Sequence, residues 1–304
     1  METIKTHSTS VIIPTYNGAK KILHLLRSLE SQTFTDFETL IIVDGSTDNT
    51  VFLLNRCNFN LKKLTIVEQP NQDKSKTRNN GSKLAEGELL LFFDDDMILE
   101  PDCIQQHIHF HSDGKKKILT GNGYRRPLNT KNNFGKYIIH IEKYWQSLHP
   151  KEFQVALKEP VMTACNLSMK KELFVEMGGF DERLNDCEDI DFAIRALSNN
   201  IPVYYNSHVK AWHNDSPNLQ LYINRLNQYT EGIKHLFNIH PEYQKLILPR
   251  FYKKNKSSLK KLILKIFRNK RFLTIDMYFE YKPIPTFITF FFYRLIISAN
   301  SGSK

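Results

Sequence analysis

A chain of 304 residues with 41% hydrophobic and 24% charged side chains can bury a substantial core as one large α/β domain with an appendage, or as two domains, and is too apolar to be disordered. The net charge of +10 is regional, with about a dozen Lys and Arg and no acid between Lys245 and Ile275; no nucleic-acid motif accompanies it, so no nucleic-acid partner is expected. The four cysteines, Cys57, Cys103, Cys165 and Cys187, lack the close pairing of a disulfide framework or zinc site, and Met1 to Ser10 lack a signal peptide's apolar run, so a cytoplasmic protein with reduced thiols is expected.

Val11-Ile12-Ile13-Pro14 reads as a short strand closed by the turn formers Pro14-Thr15-Tyr16-Asn17-Gly18, after which Ile22, Leu25, Leu26 and Leu29 recur at helical spacing. Leu40 to Val43 is a second strand running into Asp44-Gly45-Ser46-Thr47-Asp48, which turns the chain and caps a helix through Leu54. Leu64 to Val67 is a third strand, and a polar, basic stretch from Asn71 to Gly81 leads through a helix to Leu84. Leu89 to Phe93 is a strand apolar at every position, as expected when both faces are buried. Four strands alternating with helices predict a parallel, helix-covered sheet whose strand-end loops share one rim.

That fourth strand stops on Asp94-Asp95-Asp96. Alternation along an extended chain puts Asp94 and Asp96 on one side and Asp95 on the other. Three adjacent carboxylates repel one another, and a hard divalent cation would relieve them; an acidic turn before a helix from Pro101 to His111 is the other reading. Further along, Ile118 to Tyr124 and Val161 to Cys165 read as strands, and Tyr137 to Trp145 and Lys171 to Met177 as helices, the latter closed by Gly178-Gly179. The run from Phe180 to Asp191 opens a helix with Phe192, Ile194 and Leu197 on its core face; its acids suit a helix N-terminus with or without a further role. Val203 to Tyr205 is a last strand before Trp212 and His213.

Taken in order, Pro14-Thr15-Tyr16-Asn17, Asp44-Gly45-Ser46-Thr47-Asp48, Arg78-Asn79-Asn80-Gly81, Asp94-Asp95-Asp96, Gly178-Gly179-Phe180-Asp181-Glu182 and Glu188-Asp189-Ile190-Asp191 resemble the family 2 glycosyltransferases over residues 8 to 215. The resemblance implies a GT-A fold, a Rossmann-like and mostly parallel sheet with helices on both faces, spanning residues 1–215, with a helical, basic C-terminal region at 216–304. It implies transfer of a sugar, with inversion, from a nucleotide diphospho-sugar, most simply a UDP-sugar, to a glycan or lipid-linked glycan acceptor. Pro14, Thr15, Tyr16, Asn17, Asp44, Arg78, Asp94 and Asp95 would hold the nucleotide sugar, with Asp94 on the ribose. Asp96, with His213, would ligate Mn²⁺ or Mg²⁺, and Asp189, beside Glu188, would be the general base. Two departures stand out: Val43 precedes Asp44 where the family usually carries an Asp, and neither Trp145 nor Trp212 belongs to the Gln-x-x-Arg-Trp element of processive members. A single-addition enzyme is therefore expected. The alternative is a non-catalytic member that binds nucleotide sugar or glycan.

In the C-terminal region Leu219 to Ile239 has helical character. From Ser257 to Arg268 an apolar face of Leu259, Leu262, Ile263, Ile266 and Phe267 is flanked by Lys260, Lys261, Lys265 and Arg268. Such a helix either lies in an anionic membrane interface, giving a peripheral contact on the inner face of the membrane, or packs on protein. Ile284 to Ile297 is apolar but too short to span a bilayer, and Arg294 interrupts it.

Overall fold

The computed structural model describes residues 8–126, 132–215, 218–248, 264–275, 279 and 284–301. They divide into two compact units, one from Met1–Tyr124 and Pro150–Asn214, the other from Arg125–His149 and Asp215–Lys304. The segment Arg125–His149, inside the first domain on a linear reading, clusters with the C-terminal part instead.

The first unit opens with β1 (Thr9–Thr15), α1 (Ile22–Glu30), β2 (Glu38–Asp44), α2 (Thr50–Arg56), β3 (Lys63–Gln69), α3 (Asp73–Leu84) and β4 (Leu89–Phe93). These four strands lie in the order β3-β2-β1-β4, each pair parallel. Every residue of β4 is buried. Leu89, Leu91 and Phe93 join the cluster that holds Leu25, Leu26 and Ile104. On the other face Phe92 meets Phe174 and Phe180 at ring-centroid distances of 5.4 and 5.5 Å. A strand sandwiched between two cores has no solvent face, hence its unbroken apolar run. Helix α3 lies so close to the sheet that a Cβ on Gly81 would stand 2.6 Å from Ile12 Cγ2.

Beyond β4 the sheet becomes mixed. It continues through β5 (Met97–Leu99), α4 (Cys103–Phe110), β6 (Ile118–Asn122), β7 (Glu152–Gln154), β8 (Asn166–Lys170), α6 (Lys171–Glu176), α7 (Glu188–Ser198) and β9 (Val203–His213). β8 runs antiparallel to both β4 and β6, and β9 is parallel to β6, so β9 points the same way as β4. The carboxyl ends of β1, β2, β4 and β9 therefore share one edge, which brings Thr15, Asp44, the aspartate triplet and His213 to the same rim.

The strand expected at Val161 to Cys165 instead begins at Asn166. Its polar residues hid it. Asn166 and Ser168 are fully buried, and His107 bonds both, Nε2 to Asn166 Oδ1 and Nδ1 to Ser168 Oγ, each at 2.7 Å. Burial pushes the His107 pKa down to about 4, so the ring is a neutral partner that satisfies two polar strand residues.

The second unit contains α5 (Asn133–Ser147), α8 (Leu219–Ile239) and a C-terminal helix, Thr286–Asn300, around a core of its own. Phe134 and Tyr293 meet edge to face at 5.2 Å, with Ile138, Leu219, Ile223 and Ile296 packed around them. Most of the basic stretch Ser257 to Arg268 lies outside the described residues. At its described end Leu264 is buried and Phe267 lies against Phe272 and Phe292. No helix among the described residues is long and apolar enough to cross a membrane.

Candidate active site

Two loops at the carboxyl edge are locked together before any ligand is considered. Asn17 sits at φ +50°, a conformation Asn tolerates better than most residues. Its Oδ1 accepts from Thr47 N at 2.8 Å and Asp48 N at 3.3 Å, while its own N–H donates to Ser46 Oγ at 3.0 Å. Asp48 in turn accepts from Ala19 N and Thr50 N. The turn after β1 and the Asp-Gly-Ser-Thr-Asp loop after β2 are thus one piece. Asn17 holds that piece together and is not among the cleft-lining residues.

Between these loops and the end of β4 lies a cleft of about 270 Å³, lined by Pro14, Thr15, Tyr16, Lys21, Asp44, Lys74, Thr77 and the three aspartates. Tyr16 is half exposed. Asp44 is buried, and its Oδ1 accepts from Gln69 Nε2 at 2.7 Å and Gln72 N at 2.8 Å. Asp95 turns toward β1, accepting from Thr15 Oγ1 at 2.6 Å and pairing with Lys21 Nζ at 2.7 Å. Burial raises its pKa against the pull of Lys21. Gly18 must stay small, because a Cβ there would come within 2.8 Å of Asp95 Oδ2.

Asp94 and Asp96 turn the other way, set by the turn that follows β4, in which Met97 N donates to the Asp94 carbonyl at 3.2 Å, and not by a continuing strand. They converge with His213, and one ligand atom from each residue lies within 4.8 Å of the others. Strand β9 delivers the histidine, with His213 opposite Met97 of β5 and Asn214 N bonded to Asp96 O at 2.8 Å. His213 Nδ1 bonds the Gly123 carbonyl, which can only accept, so Nδ1 carries the proton and the free lone pair is on Nε2. Burial opposes ionisation of Asp94, yet the positive charges of Lys74 and Arg78 hold its carboxyl well below the usual range.

Arg78 stands one layer behind the cleft wall and does not line it. Only 2% exposed, it donates from Nη2 to Asp94 Oδ1 and from Nη1 to Glu188 Oε1, both at 2.5 Å. One guanidinium thereby ties the end of β4 to the start of α7. The three acids in the first turn of α7 are then sorted. Glu188 is committed to Arg78. Asp191 is fully buried and pairs with Nε and Nη2 of Arg195, whose Nη1 donates to the Met177 carbonyl and Nη2 also to the Gly179 carbonyl. Asp189 is half-buried and accepts from Ile190 N at 2.8 Å. Desolvation, then the neighbouring Glu188 charge, push its pKa up to about 7 against the pull of Arg78.

The linear motifs miss Lys21, Lys74 and Thr77, which line the cleft, and the clamp made by Asn79. That side chain donates to the Phe180 carbonyl and accepts from the Phe180 N–H, each at 2.9 Å. It pins the turn where Gly178 and Gly179 take φ of +78° and +72°, so two of the sequence motifs are halves of one contact. Only the basic character of Asn71 to Gly81 hints at Lys74.

Strands that deliver an Asp-x-Asp pair and a histidine to one edge of a helix-covered sheet, beside a cleft between the first two strand-end loops, define a GT-A-type domain. The chain belongs to glycosyl transferase family 2, whose family model matches residues 10–178. An uncharacterized glycosyltransferase of Haemophilus influenzae is 28% identical over 194 residues, 62% of this chain and 61% of that protein. The poly(ribitol-phosphate) beta-N-acetylglucosaminyltransferase TarS of Staphylococcus aureus is 37% identical over 124 residues, 38% of this chain and 22% of TarS. The chain thus matches less than two thirds of either relative's length. The structure of S. aureus TarS 1-349 in complex with UDP superposes with a TM-score of 0.53 at 20% identity, covering 96% of this chain and 89% of that one. The mannosyltransferase PcManGT of Pyrobaculum calidifontis, in complex with GDP-Man and Mn²⁺, gives 0.59 at 15% identity, covering 96% and 85%. At these identities the superpositions establish the fold.

Proposed function

We propose that this protein is an inverting, metal-assisted, non-processive glycosyltransferase that moves a sugar from a nucleotide diphospho-sugar, a UDP-sugar in particular, to a hydroxyl of a glycan or lipid-linked glycan. The observation that carries the reading is the convergence of Asp94, Asp96 and His213 at a cleft that Lys21 and Lys74 also line. TarS, which is 37% identical over 124 residues and whose fragment 1-349 has been solved with UDP-GlcNAc, supports the choice of UDP.

Two carboxylates and an imidazole suit Mn²⁺, or less well Mg²⁺, and leave coordination positions for diphosphate oxygens. Bound there by Asp94, Asp96 and His213, such a cation would supply Lewis-acid stabilisation of the leaving diphosphate. The chain's own residues do the rest. Tyr16, Thr15 and Asp44 receive the base, with Pro14 and Asn17 fixing the turn that carries them. Lys21 and Lys74 add positive charge where the diphosphate passes, and Asp95 anchors Lys21. Arg78 keeps Asp94 ionised from behind and withdraws Glu188 from the acceptor side. That leaves Asp189, with a pKa of about 7, to take the acceptor hydroxyl's proton as the oxygen attacks the anomeric carbon opposite the diphosphate. In-line attack inverts that centre, and no covalent intermediate forms. Trp212 is structural, its Nε1 donating to Glu100 Oε1 at 2.7 Å, and single addition follows from the missing processive element.

The test is nucleotide release from a panel of UDP- and GDP-sugars, with and without Mn²⁺ and with glycan acceptors. Metal-stimulated UDP release from one donor is expected. UDP binding without turnover of any donor would replace this reading with that of a non-catalytic nucleotide-sugar-binding member.

A further inference from the structure

The C-terminal helix, Thr286–Asn300, is apolar around nearly its whole circumference, with Arg294 its one charged residue. A helix of that composition is normally covered on all sides. Among the described residues this one is left open along one stripe. Thr289, Tyr293, Ile296 and Ala299 face the core of the second unit, whereas Phe287 is 74% exposed, Phe291 is 59% exposed and Arg294 is exposed. Positions 287, 291 and 294 follow the four-then-three spacing of a single helical stripe. The neighbouring segment adds to the same character. Phe267 packs against Phe292 of this helix, and Asn300 Nδ2 donates to the Phe267 carbonyl at 2.9 Å, so residues around 267 lie alongside it. There Ile266 is 63% exposed, and Lys265, Arg268 and Arg271 are exposed.

We propose that this aromatic stripe and its flanking cations form a docking surface for an anionic lipid bilayer, with Phe287 and Phe291 inserted at the headgroup level and Lys265, Arg268, Arg271 and Arg294 on lipid phosphates. Charge decides the occupant. Between Lys245 and Ile275 the sequence has no acidic residue, so a second copy of the same surface would bring cations against cations, while anionic lipid would neutralise them. Fifteen residues at 1.5 Å each fall short of a bilayer core, so the helix lies in the interface plane and does not span it. Arg294, between the phenylalanine stripe and the helix end, keeps its guanidinium at phosphate level while its methylenes lie on the apolar side. This assignment is independent of the transferase chemistry.

The experiment is flotation of the full chain with vesicles of phosphatidylglycerol and phosphatidylcholine in equal parts, against phosphatidylcholine alone. The wild type should float with the anionic vesicles at low salt and be released by high salt. Phe287→Ser with Phe291→Ser should weaken the partition by about tenfold for each phenylalanine. Both side chains are solvent-exposed, so the variant keeps its core. Phe291→Trp should retain binding and shift its emission to the blue on anionic vesicles, which a merely structural residue would not do. A wild type that ignores anionic vesicles at low salt, or a double serine variant that floats as well as the wild type, overturns the proposal. So does a wild-type dimer that the double serine variant converts to monomer, because the occupant is then a second copy.

Discussion

Both ends of the parallel sheet bury carboxylates, and they treat them differently. At the amino edge Glu38, 1% exposed, accepts from Ser10 Oγ, from the backbone N–H groups of Glu86 and Gly87, and pairs with Lys63. Against burial, these partners hold its carboxyl below the usual range. At the carboxyl edge Lys74 and Arg78 hold Asp94 low, but burial raises Asp95, and desolvation, then the Glu188 charge, drive Asp189 up to about 7. A saturated carboxylate stabilises the fold. One raised by burial stores an electrostatic demand that a cation or a transferred proton can meet.

The largest effects should come from removing that demand. Asp189→Asn should lower kcat by about 10² or more, on the order of 3 kcal/mol in the transition state, with little change in nucleotide-sugar binding. Asp96→Ala should abolish Mn²⁺-stimulated turnover while leaving the thermal midpoint unchanged or higher; full activity in excess chelator would remove Asp96 from the metal role. If Asp189→Asn turns over normally and Glu188→Gln does not, the base has been assigned to the wrong acid.

Arg78→Met should damage both properties, since it leaves Glu188 and Asp94 without their shared cation. Breaking a buried pair costs about 3–5 kcal/mol, readable by urea denaturation, and turnover should fall in the fraction that remains folded. Glu38→Gln isolates the other end. It should cost about 1–3 kcal/mol of stability and leave kcat unchanged.

The two ends should also have opposite pH signatures. Glu38 has a folded pKa below its unfolded value, so its contribution is present above about pH 4.5 and is lost as pH falls. Asp189 has a folded pKa above its unfolded value of 3.8, so the folded state keeps a proton that the unfolded state gives up. Its effect is to lower stability as pH rises from 3.8 toward about 7, levelling off above. Asp189→Asn should therefore raise the melting temperature at about pH 8 and do nothing near pH 4, and Glu38→Gln should flatten the acid side. In the wild type kcat/KM should fall on the acid side of about pH 7 as the base is protonated.

The smallest effect is expected at the loop latch. Asn17→Ala removes the acceptor for Thr47 and Asp48 N–H and should cost about 1 kcal/mol, seen mainly as a raised KM for the donor.

Local chemistry made much of this protein legible from sequence. Apolar runs ending in turn formers marked β1, β2 and β4, because a parallel strand buried at every position tolerates little else, and the partly exposed edge strand β3 showed only the shorter run Leu64 to Val67. Motif order pointed to the GT-A fold, whereas Asp94 and Asp96 come to lie opposite Asp95 through the turn after β4 and not through strand alternation. Only tertiary structure could decide what depends on contacts between distant segments. β8 lies at Asn166–Lys170 and not at Val161 to Cys165 because His107, some sixty positions away, satisfies its buried Asn166 and Ser168. The motif puts Arg78 at the nucleotide, whereas it lies behind the cleft because Asp94 and Glu188 meet it from two different elements. Asp189 is set apart from Glu188 and Asp191 by Arg78 and Arg195, each of which occupies one of its neighbours. A linear pattern records which side chains are available, whereas the field each one feels is set by what the fold brings within a few ångströms of it.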